Sequence, residues 1–385
     1  MPYFIKEDAM TSQEKKQLCI TACKVRMGII ESTHAAKCGH PGGSMSAADM
    51  FTYLYNKELN VDPANPKWED RDRFVLSKGH TAPGLYAALA YRGFFPVEDL
   101  LTLRKAGSYL QGHPNMNSVP GVDMSTGSLG QGISAACGMA LAGKVDGKDY
   151  RVYTLLGDGE IQEGQVWEAC MFAAHYKLDN FVAIVDNNGL QIDGEVAKVM
   201  SPYPIDEKLE AFGFHVQVID GHDFDQIESA LNAAKQVKGK PSAIVMKTVK
   251  GKGVSFMENQ VGWHGKAPNE EQRQQAENGL PHGQRCVHVL VGGLQNKFDV
   301  LVCSGRSGSS TGGRCGGFFG CGARTAVGGN ALRGADRCGI GFRRCGRCGS
   351  GRSRRCGLRG SLCGGGGHDI HRVGVHRRTV YRLGG

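Results

Sequence analysis

The stretch RVYTLLGDGEIQEGQVWEACMFAAHYKLDNFVAIVDNNGL, residues 151–190, decides the fold class. Residues 151–156 and 181–185 are short apolar runs typical of buried strands, and residues 164–176 between them have the apolar spacing of a helix. The pattern predicts a strand–helix–strand unit with parallel strands. Because the carboxyl ends of parallel strands open at the same edge of a sheet, Asp158 and Asn188 are expected to face one site.

The polar residues after these two strands suit a metal ion bound to phosphate. Asp158 offers a carboxylate oxygen and Asn188 an amide oxygen, which are hard ligands of the kind that Mg²⁺ prefers, and Mg²⁺ usually shares its shell with phosphate groups. Gly157 and Gly159 would let the backbone approach such phosphates closely. A Gly-Asp-Gly sequence is also explained by the conformation of a tight turn alone. The predicted metal site therefore depends on Asn188, which follows the second strand.

The spacing of Gly-Asp-Gly and Asn-Asn resembles the thiamin diphosphate motif of the transketolase and pyruvate dehydrogenase families. Further motifs resemble transketolases in particular, although each alone is also explained by a turn or a structural histidine. They are GHPGG at 39–43, SKGH at 77–80, GHP at 112–114, TGSLGQG at 126–132 and WHGK at 263–266. The resemblance extends over nearly all of residues 12 to about 270. It implies an α/β domain over residues 1–280, with a parallel sheet and helices on both faces.

The resemblance implies a set of ligands and the residues that bind them. Thiamin diphosphate and Mg²⁺, with Ca²⁺ as an alternative metal ion, are the cofactors expected from it. The positions that hold the metal ion in the family correspond to Asp158, Asn188 and Leu190. The positions that contact the cofactor correspond to Lys78, Gly127, Leu129, Gly157, Asp158, Gly159, Asn188 and Lys266.

Histidines and glutamates complete the implied site. Histidine titrates near neutral pH and can donate or accept a proton, which suits it to chemistry at hydroxyl and carbonyl groups. The family positions beside the donor sugar and the diphosphate correspond to His40, His80, His113 and His264. Glu163, grouped with the catalytic residues, and Glu168, grouped with the cofactor-binding ones, match acidic residues that link two active sites at a subunit interface. A helix N-terminus and a solvated surface explain these two glutamates equally well.

The implied activity is transfer of a two-carbon ketol unit from a ketose phosphate to an aldose phosphate. In the family, a glutamate that protonates the cofactor's aminopyrimidine lies on a second domain, and no matching residue is found here. In the split transketolases of some microbes that domain is a separate chain, and the first chain has about the length reached here at Asn278. We therefore expect an N-terminal subunit that acts with a C-terminal subunit, as a dimer of heterodimers.

Two alternatives to this function remain open. The first is another thiamin diphosphate enzyme, such as a 1-deoxyxylulose-5-phosphate synthase-like protein or a transketolase for an unusual sugar. The second is a cofactor-binding remnant without catalytic activity. The sugar preference does not follow from the sequence, because much of the substrate pocket is expected on the other subunit.

Composition changes sharply near residue 285, which separates a tail from the domain. Residues 1–285 contain 29 Lys and Arg and 34 Asp and Glu, whereas residues 286–385 contain 17 and 3. The Gly-, Arg- and Cys-rich tail, residues 281–385, fits three hypotheses: a nucleic-acid-binding segment, a zinc module that uses Cys345 and Cys348, or a segment translated out of frame. Aromatic residues are too few to support nucleic-acid binding, and no second cysteine pair supports a zinc module. We therefore favour a segment translated out of frame, which would be disordered.

The location and remaining partners are predicted from composition. No apolar run approaches the ~20 residues of a membrane span, and residues 1–10 have no signal-peptide pattern. Five cysteines in the first 285 residues form no framework-like spacing, which is typical of a reducing compartment. We expect a cytoplasmic protein with sugar phosphate substrates and with neither a membrane nor a nucleic-acid partner.

Overall fold

The structure is a computed structural model that describes residues 10–280. Its central feature is a five-stranded parallel sheet in the order β1-β2-β3-β7-β6, and a two-stranded antiparallel hairpin, β4 and β5, follows β3. The strands are β1 (Arg73–Leu76), β2 (Val152–Gly157), β3 (Phe181–Asn187), β4 (Leu190–Gln191), β5 (Gly194–Glu195), β6 (His215–Asp220) and β7 (Ser242–Lys247).

Ten α-helices accompany these strands in the described part of the chain. They are α1 (Ser12–Ala36), α2 (Pro41–Ser46), α3 (Ala48–Tyr53), α4 (Ala82–Arg92), α5 (Gly132–Val145), α6 (Gly164–His175), α7 (Val196–Val199), α8 (Ile205–Ala211), α9 (Phe224–Gln236) and α10 (Glu270–Gly279). Short 3-10 turns occur at Gly79–Thr81, Val97–Thr102, Glu160–Gln162 and Val261–Trp263, and a π-helical turn at Leu54–Glu58. Strand β2, helix α6 and strand β3 form the predicted strand–helix–strand unit.

Helices cover both faces of the sheet, which confirms the predicted fold class. Successive side chains of a strand point to opposite faces. Thus Leu155 of β2 belongs to a core with α1, α3, α4 and α9, and the adjacent Leu156 belongs to a core with α5, α6 and α8. Burial on both faces explains why β2 and β3 are continuous apolar runs rather than alternating ones.

The register of β2 and β3 brings two polar segments together. Val152 lies opposite Phe181, and at the other end Gly157 lies opposite Asp186. Strand β7 continues the row, with Asp186 opposite Met246. The residues that follow all three strands therefore lie at one edge of the sheet, which is called the carboxyl edge below.

Two further sequence predictions concern the tail and membrane-spanning helices. The predicted tail, residues 281–385, lies outside the described residues, as do residues 1–9. Between residues 10 and 280, no helix is both long enough and apolar enough to cross a membrane.

Candidate active site

A cavity of about 350 Å³ opens at the carboxyl edge. Eleven predicted site residues line it, and they are Lys78, His80, Gly127, Leu129, Gly157, Asp158, Gly159, Glu163, Asn188, Leu190 and His264. A second cavity of about 340 Å³, beside Arg71 and Asp123, contains none of the predicted residues. The cavity at the carboxyl edge is therefore the candidate site.

Asp158 lies directly after β2 as a buried carboxylate, with 2% of its surface exposed. The backbone N–H of Gly189 donates to its Oδ2 at 2.5 Å, and that of Gly159 donates to its Oδ1 at 2.8 Å. Burial, followed by the charge of Asp186, raises the pKa of Asp158 to about 6. No ion pair to Asp158 is formed within residues 10–280. Because an unpaired buried carboxylate is unfavourable, this position suits a bound cation.

Asn188 and Leu190 lie on the turn that follows β3, next to Asp158. Asn188 Oδ1 accepts from the Leu190 N–H at 3.1 Å, and its Nδ2 donates to Asp186 Oδ2 at 3.2 Å. Gly189 between them has φ +76°, a conformation that glycine adopts readily. The structure thus brings all three predicted metal-binding residues to one cavity.

The donor set has too few acidic groups to enclose a metal ion by itself. In the part of the chain that the structure describes, no group of three or more His, Cys, Asp and Glu could hold one. A carboxylate, an amide oxygen and a carbonyl leave positions for phosphate and water, and that arrangement is typical of Mg²⁺ bound to a phosphorylated ligand.

Lys78 is buried beneath the cavity and is paired with Asp186. Its Nζ forms an ion pair with Asp186 and donates to the Gly43 carbonyl at 3.2 Å. Ser46 Oγ donates to Asp186 Oδ2 at 2.5 Å, and Thr248 also donates to this carboxylate. Although burial opposes ionisation, the charge of Lys78 and these hydrogen bonds hold the pKa of Asp186 below its usual value. Lys78 is therefore held firmly, and its charge is balanced.

Lys250 is a site residue that the sequence prediction missed. It follows β7 and is only 2% exposed. Its ammonium group donates to the Leu190 carbonyl at 2.9 Å and to His264 Nδ1 at 3.0 Å, and no carboxylate of residues 10–280 pairs with it. Burial, followed by the charge of Lys78, lowers its pKa to about 8. Its position after the third strand at the carboxyl edge is the signal that could have identified it.

Three histidines form a cluster at the cavity. The ring centres of His40 and His80 are 5.1 Å apart, those of His40 and His264 5.4 Å, and those of His80 and His264 5.2 Å. Burial, with the positive neighbours second, lowers the pKa of His40 to about 4 and of His264 to about 3, and that of His80 well below its usual value. All three rings are therefore neutral at pH 7. Within residues 10–280, His40 Nδ1 is buried and has no hydrogen-bond partner.

Glu160 is a second residue that the sequence prediction missed. It is almost fully buried, and burial raises its pKa. Its carboxylate accepts from Ser77 Oγ at 2.5 Å, from the Gly130 N–H at 3.0 Å and from the Gly157 N–H at 2.9 Å. Glu160 thereby joins the loop before α5 to the ends of β1 and β2.

The predicted residues His40, His113, Glu168 and Lys266 are not among the residues that line the cavity. Glu163 lines the cavity but is exposed, and Glu168 lies in a separate surface groove between α5 and α6. His113 is exposed beside Gly127, where an added Cβ would lie 3.2 Å from its ring. Lys266 is exposed, with its Nζ 5.1 Å from the centre of the Trp263 ring.

Two glycines at or beside the cavity allow neighbouring segments to pack closely. A Cβ on Gly79 would lie 2.8 Å from the Gly127 nitrogen, and one on Gly159 would lie 3.1 Å from Gln191 Cβ. Backbone can therefore approach a diphosphate closely, next to the unpaired cation of Lys250 and the unpaired carboxylate of Asp158. The residues present fit a diphosphate that carries a metal ion.

Comparison with known proteins identifies a family model and its members. The model described as the thiamine diphosphate binding domain of transketolase matches residues 16–289. The 6-deoxy-6-sulfo-D-fructose transketolase subunit SqwG of Clostridium sp. (strain MSTE9) is 47% identical over 260 residues, which cover 68% of this chain and 94% of the relative. One of the subunits of the apulose-4-phosphate transketolase of Phocaeicola vulgatus is 43% identical, over 66% of this chain and 90% of the relative.

Longer proteins match the chain over part of their length. Human transketolase is 46% identical over 256 residues, which are 66% of this chain and 40% of the human protein. The crystal structure of transketolase from Campylobacter jejuni superposes with a TM-score of 0.66 at 35% identity, over 71% of this chain and 44% of that one. The chain thus spans less than half of these longer proteins and almost all of the two subunits.

Proposed function

Because the chain belongs to the transketolase family, we propose that it is the cofactor-binding subunit of a two-chain transketolase. The predicted family, fold class and enzyme class are confirmed, and so is the predicted thiamin diphosphate binding domain. The observation that carries the function is the presence at this cavity of two buried charges, Asp158 and Lys250, neither of which forms an ion pair within residues 10–280.

The metal site of the proposed enzyme consists of Asp158, Asn188 and the Leu190 carbonyl. These oxygen ligands favour Mg²⁺, and Ca²⁺ could occupy the same site because it also prefers oxygen. A bound ion would give the Asp158 carboxylate a counter-charge, and the Leu190 carbonyl, which accepts from Lys250 in this structure, would be one of its ligands. Lys250 then remains beside the diphosphate as a second cation.

Thiamin diphosphate, when bound, supplies the carbanion chemistry of ketol transfer. The cluster of His40, His80 and His264 supplies neutral imidazoles, which can donate a hydrogen bond to a substrate oxygen or accept a hydroxyl proton. Gly127 and Leu129 lie where the rings of the cofactor would pack. Gly157 and Gly159, which line the cavity, would leave the space beside the diphosphate free of side chains.

The partner of the chain is a C-terminal transketolase subunit, arranged with it as a dimer of heterodimers. The support is that the chain spans 94% and 90% of two relatives that are named as subunits. His113, Glu163, Glu168 and Lys266 lie at the surface, where such a partner could complete their surroundings. Sugar phosphates are the proposed substrates and the cytoplasm the proposed location, in line with a role in pentose phosphate metabolism.

Two relatives act, by their names, on 6-deoxy-6-sulfo-D-fructose and apulose 4-phosphate.

The division into a domain over residues 1–280 and a separate tail over 281–385 remains part of the proposal.

Calorimetric titration tests the function directly. Thiamin diphosphate and Mg²⁺ are titrated into the full chain, with and without a candidate C-terminal subunit, and ketol transfer is then assayed on the mixture. We expect binding that depends on Mg²⁺ and activity only with the partner. Binding without activity under any pairing would favour a remnant without catalytic function, and absence of binding would exclude the proposed site.

A further inference from the structure

A buried group of three charged or polar side chains lies outside the cavity lining, and it is called the buried triad below. Arg26 of α1 donates to Asp49 of α3 through Nη1 at 3.0 Å and Nη2 at 2.6 Å. His222, in the turn between β6 and α9, contacts Asp49 Oδ2 through Nδ1 at 2.8 Å. Although burial opposes ionisation, the charge of Arg26 and the hydrogen bond from His222 hold the pKa of Asp49 well below its usual range.

The buried triad also binds the backbone of the loop that follows β7. The Val249 N–H donates to His222 Nε2 at 2.9 Å, and Arg26 Nε donates to the Lys252 carbonyl at 3.0 Å. An imidazole nitrogen that accepts a hydrogen bond carries no proton, so His222 is neutral with its proton on Nδ1, facing Asp49. The two anchored loop residues lie on either side of Lys250.

Lys250 depends on this anchoring because its side chain is long and flexible. A lysine has four rotatable side-chain bonds, so its ammonium group is well placed only if its backbone and stem are fixed. The Gly251 N–H donates to the Gly42 carbonyl at 3.0 Å, and a Cβ on Gly42 would lie 3.1 Å from Lys250 Cγ. The stem is therefore confined at α2, and the backbone is held by the buried triad.

We propose that Arg26, Asp49 and His222 are positioning residues that hold the loop at Lys250 and thereby set the affinity of the site for a diphosphate. The role of Lys250 itself rests on the proposed function. Within residues 10–280, the hydrogen bonds that join the buried triad to the proposed site are those to the Val249 N–H and the Lys252 carbonyl, so its effect on affinity passes through this loop.

A second buried Arg–Asp pair provides a matched control. Arg71 pairs with Asp123, and Asp123 Oδ2 accepts from the Phe74 N–H at 2.8 Å near the start of β1. This pair contributes to the fold as the buried triad does, but it makes no contact with the loop at Lys250. A loss of stability alone can therefore be separated from a loss of positioning.

Two substitutions of His222 separate its two hydrogen bonds. The amide nitrogen of an asparagine can take the place of Nδ1, so His222→Asn keeps the donor to Asp49 and loses the acceptor for Val249. The amide oxygen of a glutamine can reach the place of Nε2, so His222→Gln keeps the acceptor for Val249. Arg26→Lys, which keeps a charge beside Asp49 and loses the Nε donor, is a second variant should His222→Asn fail to fold.

Hydrogen exchange and calorimetry on the full chain measure the outcome. We expect His222→Asn to accelerate amide exchange at Val249 and to weaken thiamin diphosphate binding with Mg²⁺ by ~10-fold, as for a buried donor left without its acceptor. His222→Gln should stay within ~3-fold of wild type, and Arg26→Lys should weaken binding. Asp123→Asn should lower the unfolding temperature and leave the affinity unchanged.

The positioning role is overturned if affinity follows unfolding temperature across all four variants, or if the two His222 variants bind equally. Faster exchange at Val249 with unchanged affinity would also overturn it, while leaving the proposed function intact. If the wild-type chain binds no diphosphate, the proposed function fails together with the role in affinity. Exchange at Val249 would then still show separately whether the buried triad holds the loop.

Discussion

The two ends of the β-sheet treat buried charge differently. At the amino end, Asp123 pairs with Arg71, and Asp72 accepts from the Asn60 and Arg151 backbone N–H groups at 2.8 and 2.7 Å. At the carboxyl edge, Asp158 and Lys250 are equally buried but have no ion-pair partner between residues 10 and 280. Because Asp72 also forms no ion pair within residues 10–280, burial of a charge without its counter-charge does not mark a functional site by itself. At the carboxyl edge, two such charges line one cavity.

The largest effect is expected when the unpaired carboxylate is removed. Asp158→Asn should weaken Mg²⁺-dependent binding of thiamin diphosphate by ~30- to 150-fold, since a charged ligand contributes ~2–3 kcal/mol. Asp123→Asn, the control at the amino end, should leave the affinity unchanged. Calorimetry on both variants checks the comparison, which fails if they lose affinity equally.

The same pair of variants should change stability in opposite directions. The pKa of Asp158 is raised from 3.8 to about 6 in the folded chain. The folded chain therefore binds the Asp158 proton more tightly than the unfolded chain does. The stability that comes from this protonation is lost as pH rises through about 6. At pH 7, Asp158→Asn should raise the free energy of unfolding of the cofactor-free chain by up to ~2–3 kcal/mol. Although burial also raises the pKa of Asp123, Asp123→Asn should lower the free energy of unfolding, because it leaves the Arg71 guanidinium without its counter-charge. Denaturant unfolding at pH 4 and pH 7 measures both.

An intermediate effect is expected at Lys250. Lys250→Met keeps the stem and removes the cation, so diphosphate affinity should fall by ~10-fold or more. Because the lowered pKa of Lys250 is about 8, affinity of the wild-type chain should also decline as pH rises through 8. The variant should lack this decline. If affinity declined with pH equally in the wild-type chain and in the variant, the decline would come from a titratable group other than Lys250.

The smallest effect is expected at Lys266, which has the same charge but is exposed. Lys266→Ala removes a cation–π contact with Trp263 and should cost below ~1 kcal/mol of stability. Affinity of the chain alone should stay within ~2-fold of wild type, by the same reasoning that exposed charges interact weakly. A large loss without the partner subunit would show that the lysine reaches the ligand.

The sequence predicted Asp158 and Asn188, which follow β2 and β3, but missed Lys250, which follows β7. Asp158 and Asn188 follow apolar runs, so their meeting at one edge could be inferred from parallel topology. Asp186 and Glu160 were missed because their roles depend on distant partners. Lys78 and Asp186 are 108 positions apart, and Ser77 and Glu160 are 83 apart. Local patterns contain no information about such pairs.

The positions of His113 and Lys266 show what a family motif does not predict. Their motifs match the family, but neither residue lines the cavity of the described chain. A motif indicates which residues an assembled enzyme uses, and it does not show which of them a single subunit places. The position of Lys266 over Trp263 follows from packing in this chain, which a motif does not describe.

The residues that line the cavity are spread widely along the sequence, so they leave the ribosome at different times during synthesis. The cavity lining begins at Gly43 and ends at His264, and its loop at Lys250 is tied back to Gly42. A growing chain therefore has no complete site until nearly the whole domain has left the ribosome. Stabilisation of the folded chain by the proposed cofactor, thiamin diphosphate, would therefore be complete only after His264 has been synthesised.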